Sequence, residues 1–272
     1  MRNKVYILFL TLLIVFEHNE VFTVDLPPQN TWKSSLKEMV FGNDEILDGN
    51  NLFSLETPYR ALDAAIVPIK IIFNNHQKIT KHVKEITIIV DENPSPVVGT
   101  FYTNLKSGSA DLSTSIRIDK YTYVRAVAKF NDGKKYMVKN FVKAAGGCSA
   151  PSLADMDSMM SRLGKMKMKF LETRNEKYLS KAQLVISHPN FSGLQFNQLT
   201  RSEIPAHFID TLKIVQDGDL ILSANADISL SEDPRFTFYY TNTGGPIKVT
   251  FTDSDGGKYT KEWAIQQLMS KN

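Results

Sequence analysis

Hydrophobic and polar positions follow two different periods along this chain. In residues 31–40, Trp32, Leu36, Met39 and Val40 gather on one side at helical spacing and predict a short helix. Residues 41–60 are polar and broken, and read as loop. From Ala65 the pattern becomes that of β-strands. Residues 66–73, 83–90, 97–102 and 112–118 read as successive strands. Pro68 marks the first of them as an edge or a bulge, because proline cannot donate to a neighbouring strand. The clearest hairpin follows. In residues 121–130, Val124, Ala126, Ala128 and Phe130 face one way while Arg125 and Lys129 face the other. Asn131-Asp132-Gly133 turns the chain, and residues 135–143 return as the partner strand.

The β-pattern stops at Ala144-Ala145-Gly146-Gly147-Cys148-Ser149-Ala150-Pro151, a run of small residues that marks a domain boundary. Residues 152–164 predict a helix, with Ser152 as N-cap and Asp155 completing the cap. Residues 165–171 are short and mixed. Strands resume at 183–187, 212–216, 219–224, 235–241, 246–252 and 258–263, with Asp217-Gly218 and Asp255-Gly256-Gly257 as tight turns. The expected fold class is therefore all-β. Two β-sandwich domains, residues 25–145 and 176–268, flank a Gly-Gly-Cys arm and helical linker at 146–175.

Composition adds limits. The 272 residues are 42% hydrophobic and 22% charged, as in ordinary globular proteins, with room for two domains. The net charge of +3 comes partly from the extreme N-terminus, so no basic face for nucleic acid is expected. Arg2 and Lys4 precede an uncharged apolar run, residues 5–16, that is too short to span a bilayer as a helix. Residues 1–24 therefore read as an export signal, and the mature chain as soluble, off the membrane and outside the cytoplasm.

Cys148 is the sole cysteine, so no internal disulfide can form. In an exported protein it is buried and inert, paired with another molecule, or chemically used. Gly146 and Gly147 would give a flexible arm, and a thiol on such an arm could enter another protein's active site. The same residues also fit an ordinary linker. Small neighbours argue against burial, and Lys139 and Lys143 are candidates to favour the thiolate. No cluster with metal-ligand spacing is seen. His188 and His207 read as packing or turn residues, and His76 and His82 lie in a polar stretch without a partner motif. Met156, Met159, Met160, Met166 and Met168 read as gap-fillers, and Asp253-Ser254-Asp255-Gly256 as a hairpin turn rather than a calcium loop. No catalytic residue, metal or cofactor is assigned, and the chain reads as a non-enzyme.

Several segments resemble the two subunits of SoxYZ, the periplasmic sulfur carrier of bacterial thiosulfate oxidation. Ala64-Ala65-Ile66-Val67-Pro68-Ile69, Val90-Asp91-Glu92-Asn93-Pro94-Ser95-Pro96 and Gly146-Gly147-Cys148 resemble SoxY. Ile186-Ser187-His188-Pro189, Ile204-Pro205-Ala206-His207-Phe208-Ile209, Phe238-Tyr239-Tyr240 and Val249-Thr250-Phe251-Thr252-Asp253 resemble SoxZ. The chain is most similar to the fused carriers associated with quinoprotein (PQQ-dependent) alcohol dehydrogenases. The resemblance implies immunoglobulin-like sandwiches paired within one chain, in the periplasm. It also implies that Cys148 holds a covalent sulfur adduct for sulfur-oxidation enzymes. A second reading is a binding or maturation module for the dehydrogenase, with Cys148 incidental. In the two-subunit carrier the arm ends the chain. Here Ser149-Ala150-Pro151 follow, which tethers the arm and limits its reach.

Overall fold

The computed structural model describes residues 29–151, 156–171, 179–197 and 200–265; the predicted signal and the helix-capping residues Ser152 and Asp155 lie outside them. The strands in chain order are β1 (Ile46–Asp48), β2 (Phe53–Glu56), β3 (Val67–Phe73), β4 (Val83–Val90), β5 (Val97–Thr103) and β6 (Leu112–Ile116). Next come β7 (Thr122–Phe130), β8 (Lys135–Val142), β9 (Met166–Leu171), β10 (Leu179–Ile186), β11 (Gln195–Phe196) and β12 (Glu203–Ile204). The last are β13 (Ile209–Gln216), β14 (Asp219–Ala226), β15 (Arg235–Thr241), β16 (Ile247–Asp253) and β17 (Lys258–Trp263). The protein is all-β with short helices, as the periodicity predicts. Among the described residues no helix is long and apolar enough to cross a membrane.

The strands form a nine-stranded sheet, β1-β8-β7-β4-β5-β14-β13-β16-β17, facing a six-stranded sheet, β2-β3-β6-β15-β10-β9. Both sheets run through the two halves of the chain. They are joined by β5 against β14, with Phe101 opposite Ala224, and by β6 against β15, with Ser113 opposite Thr237. One contiguous core follows, in which Phe101 and Phe236 meet at a centroid distance of 6.2 Å. Alternation explains the facing: β3 buries Val67, Ile69, Ile71 and Phe73 and exposes the residues between them or leaves them half-covered.

Three expectations change. The segment read as loop contains β1, which pairs parallel with β8, and β2, which pairs with β3. At three residues β1 is too short to display a period, and β2 alternates over only four, with Phe53 and Leu55 buried and Ser54 and Glu56 exposed. The mixed segment within the predicted helical linker is β9, paired with β10. Pro68 does not mark an edge strand, because β3 lies between β2 and β6. However, β2 reaches only to Lys70, so the missing N–H of Pro68 has no neighbour on that side.

The first helix comprises Trp32–Leu36, wound as a π-helix, and α1 (Lys37–Phe41). It packs Trp32 and Leu36 on Ile89 and Val127, on the outer face of the nine-stranded sheet. Arg125 does point outward from the core, as its alternation predicts. The helix nevertheless buries it fully, with its guanidinium 4.3 Å from the Trp32 ring and its Nε and Nη2 bonded to Asp91 at 2.7 and 2.6 Å.

Candidate functional site

Cys148 sits where the two halves meet, and it is completely buried. The segment before it is pinned along the end of β6. Gly146 N–H donates to Asp119 O and Gly147 N–H to Ile118 O, each at 2.8 Å. Gly146 has φ +78°, and a Cβ on Gly147 would fall inside the Ala64 carbonyl and 2.7 Å from that of Ile118. These glycines therefore serve a left-handed turn and a close backbone approach. The described arm is held, where freedom is the expectation from sequence.

Arg117 of the first half and a loop of the second supply the other wall. Arg117 Nη1 donates to Gly147 O at 3.1 Å and Nη2 to Asn190 O at 3.3 Å. Ser192 Oγ donates to the carbonyl of Cys148 itself, and Gln195 Nε2 to Ala150 O at 2.8 Å. Ser192 and Gln195 thus hold the segment at and after Cys148, while Arg117 holds it just before. The small neighbours of Cys148 in sequence give no sign of this, because the burying residues lie far along the chain.

Burial pushes the Cys148 thiol up to about 12, with Asp119 adding to the rise and Arg117 opposing it. Lys139 and Lys143 are engaged elsewhere: Lys139 donates to Gln29 Oε1 at 2.7 Å, and Lys143 lies over the Tyr59 ring. Arg117 is the cation whose charge favours the thiolate. In this docked state the sulfur is a protonated thiol at neutral pH, and a thiol is a poor nucleophile.

Residues 37–148 match the sulfur oxidation protein SoxY family, and residues 168–264 match the sulphur oxidation protein SoxZ family. The chain belongs to the SoxYZ family, as a SoxY-like half fused to a SoxZ-like half. The SoxY match ends on Cys148. Members of this family are carriers rather than catalysts. No curated protein matches the chain. Among solved structures, a superoxide reductase (neelaredoxin) from Ignicoccus hospitalis aligns at 12% identity and TM-score 0.31, over 34% of this chain and 78% of that one. A β-glycosidase from Bacteroides vulgatus aligns at 7% identity and TM-score 0.25, over 78% of this chain and 24% of that one.

The SoxZ-like half also holds an arrangement that linear spacing conceals. His188 and His207 lie edge to face with ring centroids 4.7 Å apart, and both point at Asp253. All three are buried. Asp253 is bonded across 46 residues to His207, so no local motif announces the cluster. The Asp253–Gly256 segment is the hairpin turn that the sequence predicts, but its first carboxylate turns inward. His82 lies apart, with Nδ1 3.1 Å from Lys78 O. Met159 and Met166 are buried packing residues, and Met168 packs against the core.

Proposed function

We propose that the protein is an exported, periplasmic carrier that holds sulfur-compound intermediates covalently on Cys148 and presents them to sulfur-oxidation enzymes, the two halves pairing within one chain. The observation that carries this reading is the grip of the SoxZ-like half on the carrier segment. Ser192 and Gln195 bond the carbonyls of Cys148 and Ala150, at the position where the SoxY match ends. A generic linker has no need of such contacts. The docked state protects the bare thiol, and loading requires the segment to lift from its cradle. Mass spectrometry of protein purified from its host under non-reducing conditions should find a persulfide or thiosulfonate on Cys148. Full function of Cys148→Ser in the host would refute the carrier role.

A second reading draws on the burial of Cys148 and its thiol pKa of about 12, which suit an inert side chain. The protein would then be a docking or maturation module for a quinoprotein (PQQ-dependent) dehydrogenase. It predicts co-purification with that enzyme, unaltered by Cys148→Ser.

A further inference from the structure

His188, His207 and Asp253 converge from three segments: the loop after β10, an isolated bridge before β13, and the end of β16. His188 Nε2 is 3.5 Å and His207 Nε2 3.1 Å from one oxygen, Asp253 Oδ2. One ligand atom from each residue lies within 4.8 Å of the others. A tetrahedral ion with bonds of about 2.0–2.1 Å separates its donors by about 3.3–3.4 Å, so the two measured edges lie close to what such an ion requires.

The donors are held in place by their surroundings. Asp253 Oδ1 accepts from the Gly257 and Asp255 N–H groups at 2.7 and 3.2 Å, which leaves Oδ2 turned toward the histidines. His207 N–H donates to Phe191 O at 3.0 Å, and Phe191 N–H returns to His207 O at 2.8 Å. The outer nitrogen of that ring, Nδ1, is 3.6 Å from Asp255 Oδ2. A carboxylate behind a histidine is the usual arrangement for fixing the ring with its other nitrogen toward a metal. His188 N–H donates to Asp233 Oδ1 at 3.1 Å. His188 is 1% exposed, and its Nε2 is buried without a hydrogen-bond partner. A plain His207–Asp253 hydrogen bond accounts for two of the three side chains and leaves that nitrogen unsatisfied.

The geometry points to a binding site for a divalent transition-metal ion such as Zn²⁺, formed by His188 Nε2, His207 Nε2 and Asp253 Oδ2, with the fourth position left to an exogenous ligand. Imidazole and carboxylate donors suit zinc and its neighbours in the first transition row. One contact works against the ion. Asn190 N–H lies 3.0 Å from His188 Nδ1, which places the proton of the neutral ring on Nε2. An ion has to displace that proton and this hydrogen bond, so the site binds more weakly than a closed four-ligand site.

The test uses the whole protein, stripped with EDTA and titrated with Co²⁺ and then Zn²⁺. One equivalent of Co²⁺ should bind with the visible absorption of a tetrahedral ion, and Zn²⁺ should abolish that spectrum. His207→Ala should remove it. Asp255→Asn should weaken binding by about 10–100-fold, the usual effect of losing a group behind a ligand. Cys148→Ser should leave the spectrum unchanged, which separates this site from the thiol. Circular dichroism checks that His207→Ala is folded; if it is not, Asp253→Asn and Asp255→Asn carry the comparison. Absence of stoichiometric binding, a spectrum that survives in folded His207→Ala, or one lost in Cys148→Ser would overturn the assignment. The carrier reading is unaffected by any of these outcomes.

Discussion

Arg117 and Gly147 are tied by one hydrogen bond, Nη1 to the carbonyl that precedes Cys148, 3.1 Å long and fully buried. The same guanidinium reaches Asn190 O in the other half, and its Nε has no hydrogen-bond partner. The arginine therefore clamps the segment to the cradle. A hydrogen bond from a charged group contributes about 1.5–3 kcal/mol, which corresponds to about 10–100-fold in the opening of the segment. Arg117→Met should speed alkylation of Cys148 in the folded protein by that factor. An unchanged rate, with the native fold shown by circular dichroism, would mean that Arg117 does not hold the segment.

The two glycines separate two effects. At Gly147 the backbone runs against the Ala64 and Ile118 carbonyls, so an alanine there has to move main chain. Gly147→Ala should cost about 1–3 kcal/mol, the usual range for overpacking, and should expose Cys148 to alkylation. Gly146 faces open space at φ +78°. Gly146→Ala should cost only the left-handed conformation, about 1–2 kcal/mol, with Cys148 still protected. Urea unfolding and alkylation kinetics on both variants distinguish the two. Equal protection in both would remove the case for close approach at Gly147.

These features differ in how far the sequence reveals them. The β7–β8 hairpin is legible because alternation, Asn131-Asp132-Gly133 and a returning strand agree locally. The inner face of β3 is legible for the same reason. Strand β1 is too short to carry a period and β2 carries one over only four residues; both form along edges that β8 and β3 offer them. Alternation gives Arg125 its direction, but its burial depends on Trp32, which arrives from another element. Cys148 follows the same logic: its identity as the candidate residue is visible, while its environment is made by Arg117, Asn190, Ser192 and Gln195. His188, His207 and Asp253 look unrelated until the ends of β10, β13 and β16 meet.

Asn93 explains why Val90-Asp91-Glu92-Asn93 matters. Its Nδ2 donates to Arg117 O at 2.8 Å and to Ser229 Oγ at 2.9 Å, and its Oδ1 accepts from Asp119 N–H at 2.9 Å. One buried amide thus joins the first half, the strand leading to the cradle, and the second half. Asn93→Ala should destabilise the protein by about 1–3 kcal/mol through the buried groups it leaves unpaired. Asn93→Asp keeps the acceptor and loses the donors, so it should restore little. Full stability of either variant in urea would contradict this bridging role.

The pH dependence of stability follows from the buried thiol. In the unfolded chain Cys148 titrates near 8.5. Folding raises that to about 12 because the docked sulfur loses its water, with Asp119 nearby and Arg117 only partly compensating. A raised value means that the folded state holds its proton more tightly than the unfolded one. The resulting stability is fully present below the unfolded value and drains away as pH rises toward the folded one. Between about pH 8.5 and 12 the unfolding equilibrium should gain up to a decade per pH unit from this group alone. The comparison is wild type against Cys148→Ala, unfolded in urea at pH 7, 9 and 10. Wild type should lose stability relative to the variant above about pH 8.5, the unfolded-state value. Parallel curves would mean that the thiol is solvated in the resting protein, and that the segment spends most of its time outside the cradle.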